Sequence, residues 1–319
     1  MATDLPLFFD PIPYLERCNE SWIKYNLKRI QNKENREEFK ELTQDPRIKA
    51  LIDECVMWPD PPIKRHNDAG HPIHKIELLA DFGLDIRDEW IKAISNLIQE
   101  NRSEDGFFLS KIDIPERWGG KGKGELMWLL CDTPLLLYSL KKFGVNNEYT
   151  RDAARFLVWN SENNGWRCKG SKPNFRGPGK KEDYCPYANL ITLKALSLTE
   201  QRDTEAVKNG INSHILHWEN RDGKKIYMFG IGTTFKKLKY PNVWYDILHV
   251  IDVLSRYPYA REYDTFWEMW EIIKEKQQPE GGFRPESIWR HWSKWSFGQK
   301  KEPSPWMTLR ILEIAERLK

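Results

Sequence analysis

A basic or glycine-rich loop, then a proline, then an apolar helix: this order recurs five times along the chain. Such a recurrence restricts the possible folds more than any single residue does. The copies are Lys64-Arg65-His66 before Pro72, Lys121-Gly122-Lys123-Gly124 before Pro134, Lys180-Lys181 before Pro186, Lys236-Lys237-Leu238-Lys239 before Pro241, and Lys300-Lys301 before Pro303 and Pro305. Proline at the first position of a helix is preorganised for it, because its missing N–H has no intrahelical partner there anyway. Helical periodicity fills the intervals, and strand signals are scarce. Segments 21–30, 72–82, 134–143, 187–198, 244–254 and 305–318 include several that are apolar on most faces, as buried inner helices are. Segments 36–56, 86–99, 148–158, 204–218 and 262–276 are the outer candidates between them. A glycine and an aromatic follow four of the outer helices: Gly106-Phe107, Gly165-Trp166, Gly223 to Tyr227, and Gly281-Gly282-Phe283. There the glycine is expected in the left-handed conformation, with the aromatic packing back.

Alternating inner and outer helices predict an all-α fold, an α/α toroid in which the last helix meets the first. The alternative is an open α-solenoid, whose repeats are usually shorter, about 40–47 residues. The whole chain, 1–319, reads as one domain, with the helices of 14–58 closing the ring.

In a toroid the inner helices run the same way, so their N-termini open onto one mouth. Each N-terminus carries about half a positive charge and unpaired N–H groups. Loop residues Lys64, Arg65, His66, Lys121, Lys123, Arg176, Lys180, Lys181, Lys237, Lys239, Lys300 and Lys301 would add a basic rim, an anion-binding arrangement. The plainer alternative is that loop lysines face solvent. Fifteen tryptophans supply bulky spacers between helices, and Trp128, Tyr187, Trp244 and Trp306 are the aromatic candidates for lining a cavity. Asp132, Asp183 and Asp246 lie close to inner-helix starts. They read either as caps or as an acid, a base or metal ligands, with Tyr245 and His71 as assistants. His71 and His74 are spaced to share one face.

The net charge of +3 argues against a general nucleic-acid coat. No apolar run is long enough for a membrane span, and the first residues lack a leader pattern. Five cysteines, an odd number and widely spaced, fit a reduced, cytoplasmic protein better than a disulfide scaffold. Gly119 to Gly124 lacks the order of a phosphate-binding P-loop.

The segment Gln277-Gln278-Pro279-Glu280-Gly281-Gly282-Phe283 resembles the repeat motif of the squalene-cyclase and protein-prenyltransferase β-subunit superfamily of α/α toroids. Residues 160–166 and 99–107 are weaker copies, and the resemblance covers roughly residues 70–319 at the level of the fold. Asp183-Tyr184-Cys185 resembles the Asp-x-Cys zinc-ligand pair of the prenyltransferase β subunits, with Lys180 where that pattern has a base. The resemblance implies zinc at Asp183 and Cys185. It also implies a later histidine near Val243-Trp244-Tyr245, where this chain has none, His249 lying further in. Neither the Asp-x-Asp-Asp motif of the cyclases nor an Asp-Asp-x-x-Asp motif is present. The expected function is therefore a transferase, lyase or cyclase of prenyltransferase-like kind. It would bind an anionic, lipid-like small molecule such as an isoprenoid diphosphate, as a monomer or homo-oligomer. The alternatives are an α/α-barrel glycosidase or polysaccharide lyase, and a non-catalytic scaffold that docks phosphorylated or acidic partners.

Overall fold

The computed structural model describes residues 6–33, 36–116, 120–172, 175, 183–223, 226 and 228–319. Among them are thirteen α-helices, which makes the chain all-α. They are α1 (Ile12–Glu16), α2 (Ser21–Ile30), α3 (Arg36–Gln44), α4 (Pro46–Asp53), α5 (Pro72–Asp81), α6 (Glu89–Glu100), α7 (Pro134–Lys142), α8 (Glu148–Trp159), α9 (Pro186–Leu196), α10 (Glu205–Glu219), α11 (Ile247–Leu254), α12 (Asp264–Lys274) and α13 (Pro305–Arg317). One short antiparallel hairpin, β1 (Ser110–Ile112) with β2 (Glu125–Met127), pairs Ser110 with Met127. Alternation in these three-residue strands is too brief to register as a sequence signal. No helix of the described residues is long and apolar enough to cross a membrane.

The prolines start helices as expected at Pro72, Pro134, Pro186 and Pro305. Pro46 also starts one, so the long outer helix expected over 36–56 is two, α3 and α4. Pro241 starts none. The helix expected from Trp244 begins at Ile247, because Asp246 takes an extended backbone and accepts the N–H of His249 at 3.0 Å. That is an N-cap, which fixes the first helical residue.

Contacts divide the chain into two compact units, 1–46 with 231–319 and 47–230. In the central unit α5 packs on α7 and α7 on α9, while α8 packs on α7 and α10 on α9. Every residue of α5 and α9 is buried, whereas α6 and α8 bury one face. This is the expected division into inner and outer helices. In the terminal unit α11 packs on α12 and α13, and α13 on α2.

The glycine–aromatic turns hold three times: Gly106, Gly165 and Gly281 have positive φ, and Phe107, Trp166 and Phe283 are fully buried. Gly223 is not among the positive-φ residues, and Tyr227 lies outside the described residues. At Gly165 the close approach is decisive, since a Cβ would stand 2.2 Å from Asn189 Oδ1. That oxygen accepts the Trp166 N–H, while the Asn189 amide donates to Gly210 O at 2.8 Å. Asn189 thus ties the turn to α9 and α10 together. Gln277, the motif glutamine, has a similar role in the terminal unit. Its Oε1 accepts the N–H groups of Phe8 and Phe9, and its amide donates to Gly281 O.

Candidate functional site: thiols, imidazole and carboxylate at three helix starts

The inner helices of the central unit begin together. The loop before α5 carries His66, the turn before α7 carries Cys131 and Asp132, and the residue capping α9 is Cys185. Backbone pairing sets their positions. Leu130 N–H donates to Lys169 O, Ser171 N–H donates to Trp128 O, and Leu129 bridges Gly170. Strand-like pairing of this kind places Cys131 beside Cys168, with the two Sγ atoms 3.7 Å apart. Cys185 N–H donates to Trp166 O at 2.9 Å, which brings Cys185 to the same turn. The Cys168 and Cys185 thiols are near enough for each to shift the other's pKa. Tyr184 donates to Ser213 O at 2.7 Å and meets His214 and His217 edge-on, anchoring the segment to α10.

His66 closes the cluster. Its Nε2 lies 3.8 Å from Cys131 Sγ, and its Nδ1 lies 2.9 Å from both carboxylate oxygens of the buried Asp132. His74 Nε2 is 2.9 Å from His66 O and holds the loop from below. The ligand atoms of His66, Cys131 and Asp132 all lie within 4.8 Å of one another, a spacing a metal ion can bridge. Burial acts to lower the His66 pKa, but the Asp132 charge and hydrogen bond outweigh it and raise the imidazole above its ordinary value. Although its hydrogen bond with Cys168 favours the thiolate, burial and Asp132 push Cys131 up to about 11. The neighbouring Cys168 thiol and burial also hold the Cys185 thiol well above its ordinary value. Cys185 Sγ in turn accepts the Ala188 N–H at 3.5 Å, as the N-cap of α9.

The other expected residues of this unit take different places. Asp183 is half-buried, and the set of mutually close donors among the described residues is His66, Cys131 and Asp132, which includes neither Asp183 nor Cys185; Cys185 lies near Cys168. His71 is the N-cap of α5: Nδ1 accepts the Ile73 N–H and Nε2 lies 2.7 Å from Pro61 O, so the ring is built into the helix start. Burial lowers its pKa. Lys64, Arg65, Lys121 and Lys123 are exposed, with Lys121 paired to Glu125. Tyr187 is buried, and Trp128 packs edge-on against Phe107 and Phe156. Arg176, Lys180 and Lys181 lie outside the described residues.

In the terminal unit Tyr245 packs on Phe235, Trp306 is fully buried, and Trp244 O contacts His249 Nδ1 at 2.8 Å. Lys300 and Lys301 are exposed and Lys237 half-exposed. Lys239 lays its ammonium over the Trp289 ring, 3.1 Å from the centroid. Asp246 is buried, with Oδ2 lacking a hydrogen-bond partner; burial raises its pKa to about 7, against the opposing pull of the His249 N–H and Lys239. A carboxylate raised in the folded state binds its proton more tightly there than in the unfolded chain. Its contribution is therefore present at low pH and lost as pH rises from about 4 toward 7. Asp246→Asn keeps the cap and removes the charge. Thermal melts should show equal midpoints for variant and wild type near pH 4 and a higher midpoint for the variant above pH 8. Equal midpoints at both ends would contradict the assignment.

Cys168 was not singled out from the sequence. A usable signal existed, since it lies two residues past the Gly165-Trp166 turn and opens the loop that Cys185 closes. Glu77 and Lys194 were also missed. They meet at 2.5 Å inside the apolar helices α5 and α9, with Lys194 4.6 Å from the Tyr138 ring centroid.

Neither family models nor curated proteins match this sequence. The chemistry of the site rests on its own donors: three thiols, an imidazole oriented by a carboxylate, and three helix N-termini.

Proposed function

We propose that the chain is a prenyltransferase-like protein of the α/α-toroid kind, which holds the charged head of an anionic amphiphile beside the cysteine–histidine cluster. One observation carries this reading: α5, α7 and α9 are packed side by side, and their first residues adjoin the same cluster. Three helix dipoles then point their positive ends at one place, an arrangement that favours a phosphate-type group. A buried cluster of nucleophilic and proton-binding groups at that place is more than a helical scaffold needs. Both features support a transferase or lyase over a passive repeat.

Titration calorimetry with farnesyl diphosphate, farnesol and inorganic pyrophosphate tests it. Farnesyl diphosphate is expected to bind at least about tenfold more tightly than either half alone, since head and tail contribute together. Absence of binding by all three, or equal binding of pyrophosphate and farnesyl diphosphate, would remove the amphiphile from the reading.

A further inference from the structure

We infer that His66, Cys131, Cys168 and Cys185 bind one zinc ion, with Asp132 as the outer partner of His66. This donor set differs from the Asp183 and Cys185 pair that the sequence resemblance implied. It does not need the amphiphile reading, and with zinc bound the thiols and imidazole are ligands, so that reading then rests on the three helix starts alone.

The separations come first. Zinc sits about 2.3 Å from thiolate sulfur and about 2.0–2.1 Å from imidazole nitrogen in tetrahedral sites. Two sulfurs on one tetrahedral zinc are therefore about 3.7–3.8 Å apart, with a sulfur and a nitrogen slightly closer. Cys131 and Cys168 stand at 3.7 Å, and Cys131 Sγ to His66 Nε2 is 3.8 Å. Cys185 N–H bonds Trp166 O, two residues before Cys168, and the two thiols act on each other; both lie outside the mutually close set of His66, Cys131 and Asp132, so an ion would draw their sulfurs inward. A disulfide would need sulfurs about 2.05 Å apart and would use only two of the three thiols.

Orientation is the second argument. A metal-bound histidine usually donates its other ring N–H to a carboxylate, which fixes the tautomer. His66 Nδ1 lies against both oxygens of Asp132, which leaves Nε2 toward the Cys131 sulfur. Asp132 is 1% exposed, so the carboxylate is desolvated and held for that contact. The third argument is access. His66 has a side chain 34% exposed and Cys168 is half-buried, which leaves a side from which an ion can enter. At Cys185 the sulfur already accepts a backbone N–H, that of Ala188 at the start of α9.

Binding replaces three S–H bonds by three Zn–S bonds and releases three protons to solvent; neutral His66 adds its Nε2 lone pair and keeps the Nδ1 proton on the Asp132 side. Four protein donors close the coordination sphere, as in structural zinc sites. The ion would join the starts of α5, α7 and α9 to the turn at Gly165-Trp166. Metal affinity and folding of the central unit are then linked.

The test uses the full chain. Elemental analysis of protein purified without chelator is expected to give one zinc per chain. Exchange with cobalt should produce thiolate-to-cobalt charge transfer in the near ultraviolet and the intense visible bands of a tetrahedral ion. Cys168→Ser and His66→Ala should lose the zinc, while Cys18→Ser and Cys55→Ser, which alter thiols elsewhere, keep it. Asp132→Asn should retain the ion with affinity weakened about 10–100-fold. Circular dichroism monitors folding; if Cys168→Ser does not fold, the wild-type cobalt spectrum decides. A protein that binds no zinc as purified or after reconstitution, a weak octahedral cobalt spectrum without thiolate bands, or folded Cys168→Ser with unchanged zinc would each overturn the assignment. Zinc binding without any farnesyl diphosphate binding would leave this site in place and remove only the amphiphile.

Discussion

Lys194→Ala is expected to destabilise the central unit by about 3–5 kcal/mol, since it strands the Glu77 carboxylate in a dry core. Lys194 is fully buried and donates to Glu77 Oε1 at 2.5 Å; Glu77 is 5% exposed, with His74 Nδ1 3.8 Å away. Tyr138, whose ring faces the ammonium, donates to Asp81 at 2.6 Å. The pair therefore sits in a charged cluster shared by α5, α7 and α9. Removing Lys194 leaves the buried Glu77 carboxylate with only His74 beside it, and a loss of this size is a large part of the roughly 5–15 kcal/mol that holds a domain together. Replacing both residues, Glu77→Leu with Lys194→Met, should cost far less, because similar volume is kept and no charge is orphaned. Chemical denaturation of the two single variants and the double variant gives the coupling directly. Additive losses would refute a shared ion pair.

The same pair predicts acid sensitivity. Burial acts to raise the Glu77 pKa, but Lys194 and His74 outweigh it, and the folded value lies below the ordinary one. A depressed carboxylate contributes stability that is present above the unfolded pKa, about 4.3. It is lost as pH falls through the lower folded value. Stability of the Glu77→Leu, Lys194→Met variant should accordingly fall less steeply than wild type below about pH 4.

Asp252→Ala should be of comparable size in the terminal unit. Asp252, in α11, is 2% exposed and accepts from Arg317 at 2.7 Å, from Arg256 at 3.1 Å and from Arg310 at 3.5 Å. Arg256 lies two residues past the end of α11, whereas Arg310 and Arg317 belong to α13, so one carboxylate holds α11 against α13. Its removal leaves three guanidinium groups facing one another, Arg310 deeply buried among them. A loss of about 3–5 kcal/mol follows. Asp252→Asn keeps an acceptor and should lose less. Without Arg310 the Asp252 carboxylate still accepts from Arg256 and Arg317, so Arg310→Met should be milder than Asp252→Ala. If Asp252→Ala melted within a degree of wild type, the three contacts would carry no net stabilisation.

Local patterns made most of the helices legible. The prolines at 72, 134, 186 and 305 mark helix starts because ring geometry and the missing N–H act within one turn. The burial of α5, α7 and α9 followed from apolar residues on most faces. Where a side chain competed with the pattern the reading slipped, as at Asp246, whose cap delayed α11. Charged residues inside those helices gave no local sign of their roles. Glu77 and Lys194 lie 117 positions apart, and a lone Glu or Lys in an apolar helix looks like an exposed face until its partner is known.

The site divides the same way. Sequence alone determined the all-α class, the full burial of α5 and α9 against the one-face burial of α6 and α8, and the place of Cys185 just before the helix that Pro186 starts. Tertiary structure decided that Cys131, Cys168 and His66, rather than Asp183, gather with it. The physical reason is that helix periods and caps arise from interactions within a few residues. Donor geometry instead depends on which helices begin side by side and on the backbone pairing of residues 128–130 with 169–171.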